Sequence, residues 1–303
     1  MNFQPKKIKY LKFSNEHKLD LLKCISEIIN EVDAHNKSLN LNLMWNWRNE
    51  EIPSKQSLVY LAFHKNKIIG YYHIPTFKIL INNRPFKLGH IESVAILKPF
   101  RKFKIFRDLA DFANKDANKI LDIIYTFPND KSIHTFIKYN NFTKIGTYPA
   151  YILPTKSDKI ISSRINLLGL QNIIGFVIDW YADKKRKSFE NNEIIVSFKH
   201  FNQEIIELFK NFSRNYSFSL LRDKNYLNWR YDSRPESKYK IAGLKVESDL
   251  GAVIVYKEEV IFQNNCIIIL DMAFNDISYL QKLLCGLTSF ESEINPSFNS
   301  SFI

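Results

Sequence analysis

Residues 92–113, ESVAILKPFRKFKIFRDLADFA, constrain the fold more than any other stretch of this chain. A strand-like run, Val94 to Leu97, meets Pro99, which has no N–H to give to a ladder. Arg101, Lys102 and Lys104 follow, and then a helix with Ile105, Phe106, Leu109, Ala110, Ala113 and Ala117 on one face. Strand, tight turn and helix start make a cradle in which backbone N–H groups converge on an anion, and the helix dipole adds to the attraction. Glycine is usual in such a turn because it tolerates φ > 0 and lets a ligand approach the backbone. This turn has none. Either the lysines add charge-assisted contacts to a phosphate, or their side chains obstruct the cradle.

The neighbouring elements extend the pattern. Ser14 precedes a helix with Leu21, Leu22, Ile25, Ile28, Ile29 and Val32 near the 3.6-residue period. Strands are expected at 57–63 and 68–80, joined through the polar turn His64–Lys67, and a third from about Phe86 to Leu97 after the turn at 82–85. After the helix near 105–117, LDIIYTF at 121–127 is apolar enough for a strand buried on both faces. A short helix at 131–139 and a strand in FTKIGTYPAYILP close the region. The fold class is α/β in the mixed-sheet, α+β sense.

Charge separates the two halves. Residues 1–150 hold 24 Lys and Arg against 13 Asp and Glu, a net +11, whereas 151–303 hold 19 against 18, a net +1. A Lys-rich coding bias would act on both halves, so the asymmetry points to an anionic partner for the first. With 45% apolar and 24% charged residues the chain is of globular type. MNFQPKKIKYLKF lacks an apolar h-region, so a cytoplasmic location is expected. Cys24, Cys266 and Cys285 lie far apart with no CxxC and no zinc-type His spacing, so no metal is expected.

One repeat is visible. NWRNEEIP at 46–53 recurs as NWRYDSRP at 228–235, an offset of 182, and each copy precedes two strand-like runs. A period this long suggests a duplicated domain. Its tryptophans read as packing residues. The expected division is a first domain at 1–153, a linker at 154–190 and a second, partial domain at 191–303. Within the linker, 165–178 is interrupted by Gln171, Asn172 and two glycines; spanning a bilayer takes about 20 apolar residues. A linker helix is one reading, and contact of 165–187 with an acidic membrane surface is the other.

The order strand, basic turn, helix, strand, short helix, strand resembles the GNAT superfamily of acyl-CoA-dependent N-acyltransferases. LKPFRKFKIFRDLADFA resembles its acyl-CoA loop, with Lys102 and Lys104 where glycines are expected, and PNDKSIHTFIKYNNF its later motif. The resemblance covers about residues 45–150 and, with the repeat, implies a GNAT-like fold followed by a partial GNAT-like half. It implies acetyl-CoA or another acyl-CoA as co-substrate, its pantetheine arm on Val94, Ala95 and Ile96. The diphosphate would lie at Arg101, Lys102, Phe103, Lys104, Ile105 and Phe106, with Asn129 and Ser132 near the cofactor. Glu92, the one carboxylate on its strand, would be the general base, with His90 on the same face; a solvated strand glutamate is the plainer reading. The tyrosine that protonates the leaving thiolate falls on Ile137 when counted from Phe142, leaving Tyr139 or water, and Asn141 takes the glycine position. His73 and His134 read as structural or surface residues.

In the second half the offset puts the phosphate loop near Leu283, inside an apolar helix, and Asp271 is the suggestive polar residue, although strand-end Asp is commonly a cap. Three functions stay open. One is N-acyl transfer to a small primary amine, an amino sugar among the candidates. Another is aminoacyl transfer of FemAB type, with RNA on the basic face; RNA contacts would show a steep salt dependence. The last is a catalytically silent binding or scaffold protein. The charge asymmetry favours a turn that still meets phosphate over an obstructed one; nucleic acid is not the expected partner, and the oligomeric state is open.

Overall fold

The computed structural model describes residues 8–32, 40–101, 104–147, 193–236, 238–261, 264–294 and 300–302. Lys102, Phe103, the 154–190 linker and its 165–187 stretch lie outside the described residues. In chain order come β1 (Ile8–Lys12), α1 (Lys18–Val32), α2 (Leu41–Asn49), β2 (Ser57–His64), β3 (Lys67–Ile81), β4 (Arg84–Ile91), β5 (Ser93–Ile96), α3 (Ile105–Ala117), β6 (Ile123–Thr126) and α4 (Asp130–Tyr139). Then follow β7 (Glu193–Phe198), α5 (Gln203–Arg214), β8 (Phe218–Leu220) and α6 (Lys224–Leu227), which runs into a π-helical turn, Asn228–Asp232. The chain continues with β9 (Lys240–Val246), β10 (Asp249–Ile261), β11 (Asn264–Phe274), α7 (Ile277–Ile294) and β12 (Ser300–Phe302).

Two compact units result. One holds the described residues up to Gly146 together with Tyr216–Leu221 and Ser233–Pro235; the other holds the rest. Two short segments expected in the second domain therefore belong to the first. In the first unit the sheet runs β1-β2-β3-β4-β6, all antiparallel except the parallel pair β4–β6. The long β3 also pairs β5 at 70–73, and β8 takes up residues 79–81 on the edge that β2 leaves at Pro75. Leu58, Val59, Tyr60, Leu61 and Ala62 are all buried, as the unbroken apolar run requires. Against them pack Leu21, Cys24 and Ile28 of α1 and Leu109, Ala110, Ala113 and Ala117 of α3. Cys24 is a free thiol, and burial pushes it up to about 12.

The expected single strand Phe86–Leu97 is two strands. Thr76 pairs Gly89 and His73 pairs Ser93, so two residues of β3 face three on the other side. Glu92 is the extra residue, and its N–H donates to the His73 carbonyl at 3.2 Å. The strand expected after Asn141 is absent over 141–147, where Ile145 is 95% exposed; 148–154 lies outside the described residues. β1 and α2 were not anticipated.

The second unit repeats the first in order, sense and irregularities. Its sheet, β7-β9-β10-β11-β12, is antiparallel except for the parallel pair β11–β12. Between β2 and β3 the extra residue is Ile69; between β9 and β10 it is Gly251, at the offset of 182. The bulge at Glu92 has its counterpart at Leu270, because Val255 pairs Asp271 and Tyr256 pairs Ile269. The offset is not constant. The β10–β11 hairpin is two residues shorter in each arm, so beyond it the equivalent of Glu92 is Leu270 and that of Leu97 is Asn275. Both Leu97 and Asn275 donate their N–H groups, at 2.9 Å, to the carbonyls of the extra residues Ile69 and Gly251. This moves the lost loop from Leu283, which is buried in α7, to Asn275–Asp276. There two residues join strand to helix where the first unit has eight, 97–104. After the helix, β12 pairs β11 in parallel, as β6 pairs β4 in the first unit, and the second half is a partial one.

Candidate active site

The sheet of the first unit opens into a fork at Glu92. β6 follows β4 in parallel as far as Ile91 and Thr126, and there its pairing stops. β5 keeps β3 on one edge, and its other edge pairs with no strand among the described residues. Val94, Ala95 and Ile96 line this stretch. Gly70, opposite Ile96, is what lets β5 lie so close: a Cβ there would fall 2.3 Å from Ile96 Cδ1 and 2.9 Å from the Ala95 carbonyl oxygen.

The basic turn leaves the far end of β5. Lys98–Phe100 makes a 3-10 turn, with Pro99 supplying a suitable φ. Glu31 of α1 fastens it: Oε1 accepts from the Lys98 N–H at 3.1 Å and Oε2 from Arg101 Nη2 at 2.6 Å. Arg101 Nε donates to the Ile96 carbonyl at 2.8 Å. The guanidinium expected on a phosphate thus holds the turn to β5 and α1. Lys104 is exposed and is the N-cap of α3, with no side-chain cap bond at that end. The first-turn N–H groups around Ile105 and Phe106 carry the positive end of the helix dipole. Ile105 is buried, and Phe106 packs edge-on to Phe136 at 5.6 Å. Their side chains serve the core, which leaves only their backbones to face a ligand.

At the near end of β5 stands Glu92, ion-paired with Arg48 from the last turn of α2, Nη2 to Oε1 3.2 Å. The pair is partly open, with side chains 32% and 31% exposed. Arg48 Nε is buried without a hydrogen-bond partner. His73 is enclosed beneath, its Nε2 2.6 Å from Ser57 Oγ and its ring stacked on Trp45. Burial pulls His73 down to about 4, against the nearby charge of Glu92. His90 stacks on Tyr125 at 4.6 Å, and burial lowers its pKa while Glu92 raises it. Burial, helped by Glu92, pushes the Tyr125 phenol up to about 12. Tyr71 Oη and Ser93 Oγ share a hydrogen bond of 2.8 Å beside them. Because Glu92 is the bulged residue, its position relative to His90 follows from the bulge and not from strand alternation.

The first polar residues of the later motif cap its helix. Asn129 caps α4, accepting from the Lys131 and Ser132 N–H groups at 3.1 Å, and Ser132 Oγ donates to Asn129 Oδ1 at 3.0 Å. Both side chains are thus engaged in the cap. Phe136 is buried among Phe106 and Phe142, and Ile137 and Tyr139 are each 44% exposed. Asn141 has φ 58°, the conformation for which the motif expects glycine. The Phe142 N–H then closes the helix end on the Phe136 carbonyl at 3.1 Å.

Arg48, Ser57 and Tyr125 were not singled out from the sequence, although the repeated NWR contained the signal for Arg48. Both repeat tryptophans are buried, Trp47 under the Arg234 guanidinium at 5.2 Å. In the second unit the NWR arginine, Arg230, has no carboxylate at the bulge, which holds Leu270. Asp271 instead accepts from Arg222 Nη1 at 2.5 Å and from the Tyr231 hydroxyl at 3.1 Å. Arg222 lies 5.3 Å from the rings of both Phe209 and Phe212, and Arg222 and Asp271 are each only 13% exposed. Asp271 therefore belongs to a closed polar cluster, not to a strand cap.

Among the described residues no group of three or more His, Cys, Asp or Glu could hold a metal ion, and no helix is long and apolar enough to cross a membrane. No protein-family model matches the chain, and no curated protein does. Solved structures do. A GCN5-related N-acetyltransferase from Anabaena variabilis matches with TM-score 0.63 at 13% identity, over 94% of this chain and 63% of its own. A protein from Enterococcus faecalis described as a probable N-acyltransferase matches with TM-score 0.64 at 11% identity, over 98% and 64%. The chain spans less than two thirds of the length of either. The likeness is one of fold.

Proposed function

We propose that this chain, which has the fold of the GCN5-related N-acetyltransferases, transfers an acyl group from acyl-CoA to the primary amine of a small molecule. One observation carries the reading. A strand whose second edge meets no strand among the described residues runs from a carboxylate on a bulge to a helix start with no side-chain cap bond, behind a basic turn. Four residues at about 3.3 Å each give β5 a length of roughly 13 Å for an extended pantetheine arm to pair with. The diphosphate would then meet the N–H groups at the start of α3 and the Lys104 ammonium, with Lys102 and Phe103 proposed for the same turn. The thioester would lie at the other end, beside Glu92.

There the amine nitrogen forms its bond to the thioester carbon as the carbon–sulfur bond breaks. An ammonium acceptor loses one proton to solvent through Glu92 before attack and a second to Glu92 as the bond forms. The thiolate takes one up, so the net products are an amide, a free thiol and one proton. The thiolate's proton comes from water or from Tyr139; Tyr139→Phe lowers kcat only in the second case.

Titration with acetyl-CoA while following thermal unfolding tests the proposal. Ligand at 100 times its Kd should stabilise the fold by about 2.7 kcal/mol, and Lys104→Glu should remove the effect. No stabilisation by acetyl-CoA or longer acyl-CoAs would refute it. Binding without transfer to any amine would favour the silent reading, which Ile137 in the expected tyrosine position and the missing loop glycines support.

A further inference from the structure

We infer that the acceptor is an amino acid, its ammonium bound by Glu92 and its carboxylate by Arg48. The inference rests on the acyl-transfer reading and names the class of amine. Arg48 and Glu92 meet through one contact of 3.2 Å, an opposite-charge pair open to solvent by about a third. About a third of the Arg48 side chain is open to solvent, so an arriving carboxylate can meet the guanidinium there, and guanidinium–carboxylate hydrogen bonds are among the strong ones. In an amino acid the nitrogen lies about 2.5 Å from the carboxyl carbon, by ordinary bond lengths and angles. A zwitterion of that span matches two charges a hydrogen bond apart, carboxylate to guanidinium and ammonium to carboxylate.

The match also bears on reactivity. In the empty site Arg48 competes for the oxygen that must receive the amine's proton. An acceptor carboxylate takes the guanidinium over and frees Glu92. An amine without an anion leaves the pair intact. The second unit offers no such site: its NWR arginine lacks a carboxylate at Leu270, and its Arg222–Asp271 pair is closed by Tyr231, Phe209 and Phe212.

The test compares free amino acids with their amides and with glucosamine, in acylation by the full chain and in calorimetric binding. A guanidinium–carboxylate hydrogen bond contributes about 1.5–3 kcal/mol, so the acids should be preferred over their amides by about 10- to 100-fold in kcat/KM. Arg48→Met should abolish the preference, and Arg48→Lys should keep part of it, while acetyl-CoA still stabilises both variants. Equal use of acids and amides, a preference that survives Arg48→Met, or acids that neither bind nor react would overturn the inference. Failure of acetyl-CoA to bind the parent protein is a different result and removes the acyl-transfer reading itself.

Discussion

His73 ties the stability of the first unit to pH. Its ring is 4% exposed, and its pKa falls from 6.5 to about 4 because burial opposes the charged form. The folded value lies below the unfolded one, so between those limits the unfolded chain binds a proton that the folded chain refuses. The contribution is complete above about pH 6.5 and is lost as the pH falls towards 4. Going from pH 7 to pH 5, the linkage relation gives a loss of about 2 kcal/mol. Urea unfolding at pH 7, 6 and 5 would measure it, with His73→Gln as the control, since an amide can still meet the Ser57 hydroxyl. The control should lose about 2 kcal/mol less than the parent over that range, other titrating groups being common to both. Equal losses, or an NMR titration of the His73 ring centred near 6.5, would refute the reasoning.

Other substitutions probe the fork and its frame. Glu92→Gln should lower kcat by about 10²- to 10⁴-fold while acyl-CoA affinity stays unchanged, which steady-state kinetics and calorimetry read separately. Gly70→Ala places a methyl against Ile96 and the Ala95 carbonyl; about 1–3 kcal/mol of stability should go in urea, together with acyl-CoA affinity. Asn141→Val forces a β-branched residue to φ 58° and should cost about 1–2 kcal/mol, whereas Asn141→Gly should be close to neutral. Asp271→Ala strands the Arg222 guanidinium in its aromatic sandwich, and about 3–5 kcal/mol should be lost from unfolding of the second unit.

What the sequence disclosed depended on the range of the interaction. α1, α3, β2 and β3 were readable because apolar spacing over ten or so residues is a local property. β1, with five residues, and β8, with three, carry too little pattern; each is a strand because a neighbour's edge accepts it. Glu92 could be singled out because it is the one acid on its strand, but Arg48, which pairs with it, lies 44 positions earlier, joined to it only by the fold. Arg101 is the converse case. A basic residue in a phosphate-type turn was read for charge, and the structure gives its guanidinium to Glu31 and a carbonyl. The repeat was visible in four letters, yet its register broke at a shortened hairpin that no pattern announces. The paired bulges at Ile69 and Gly251, and at Glu92 and Leu270, recover the true alignment.

β8 sets a timetable for biosynthesis. Ile79, Leu80 and Ile81 receive their neighbour from Phe218–Leu220, so that margin of the first sheet stays raw while some 140 further residues are made. At about 5–20 residues per second a ribosome needs roughly 7–28 s for that stretch. An open hydrophobic strand border is a template for another chain's strand, so nascent copies on one polysome are at risk of cross-pairing during this interval.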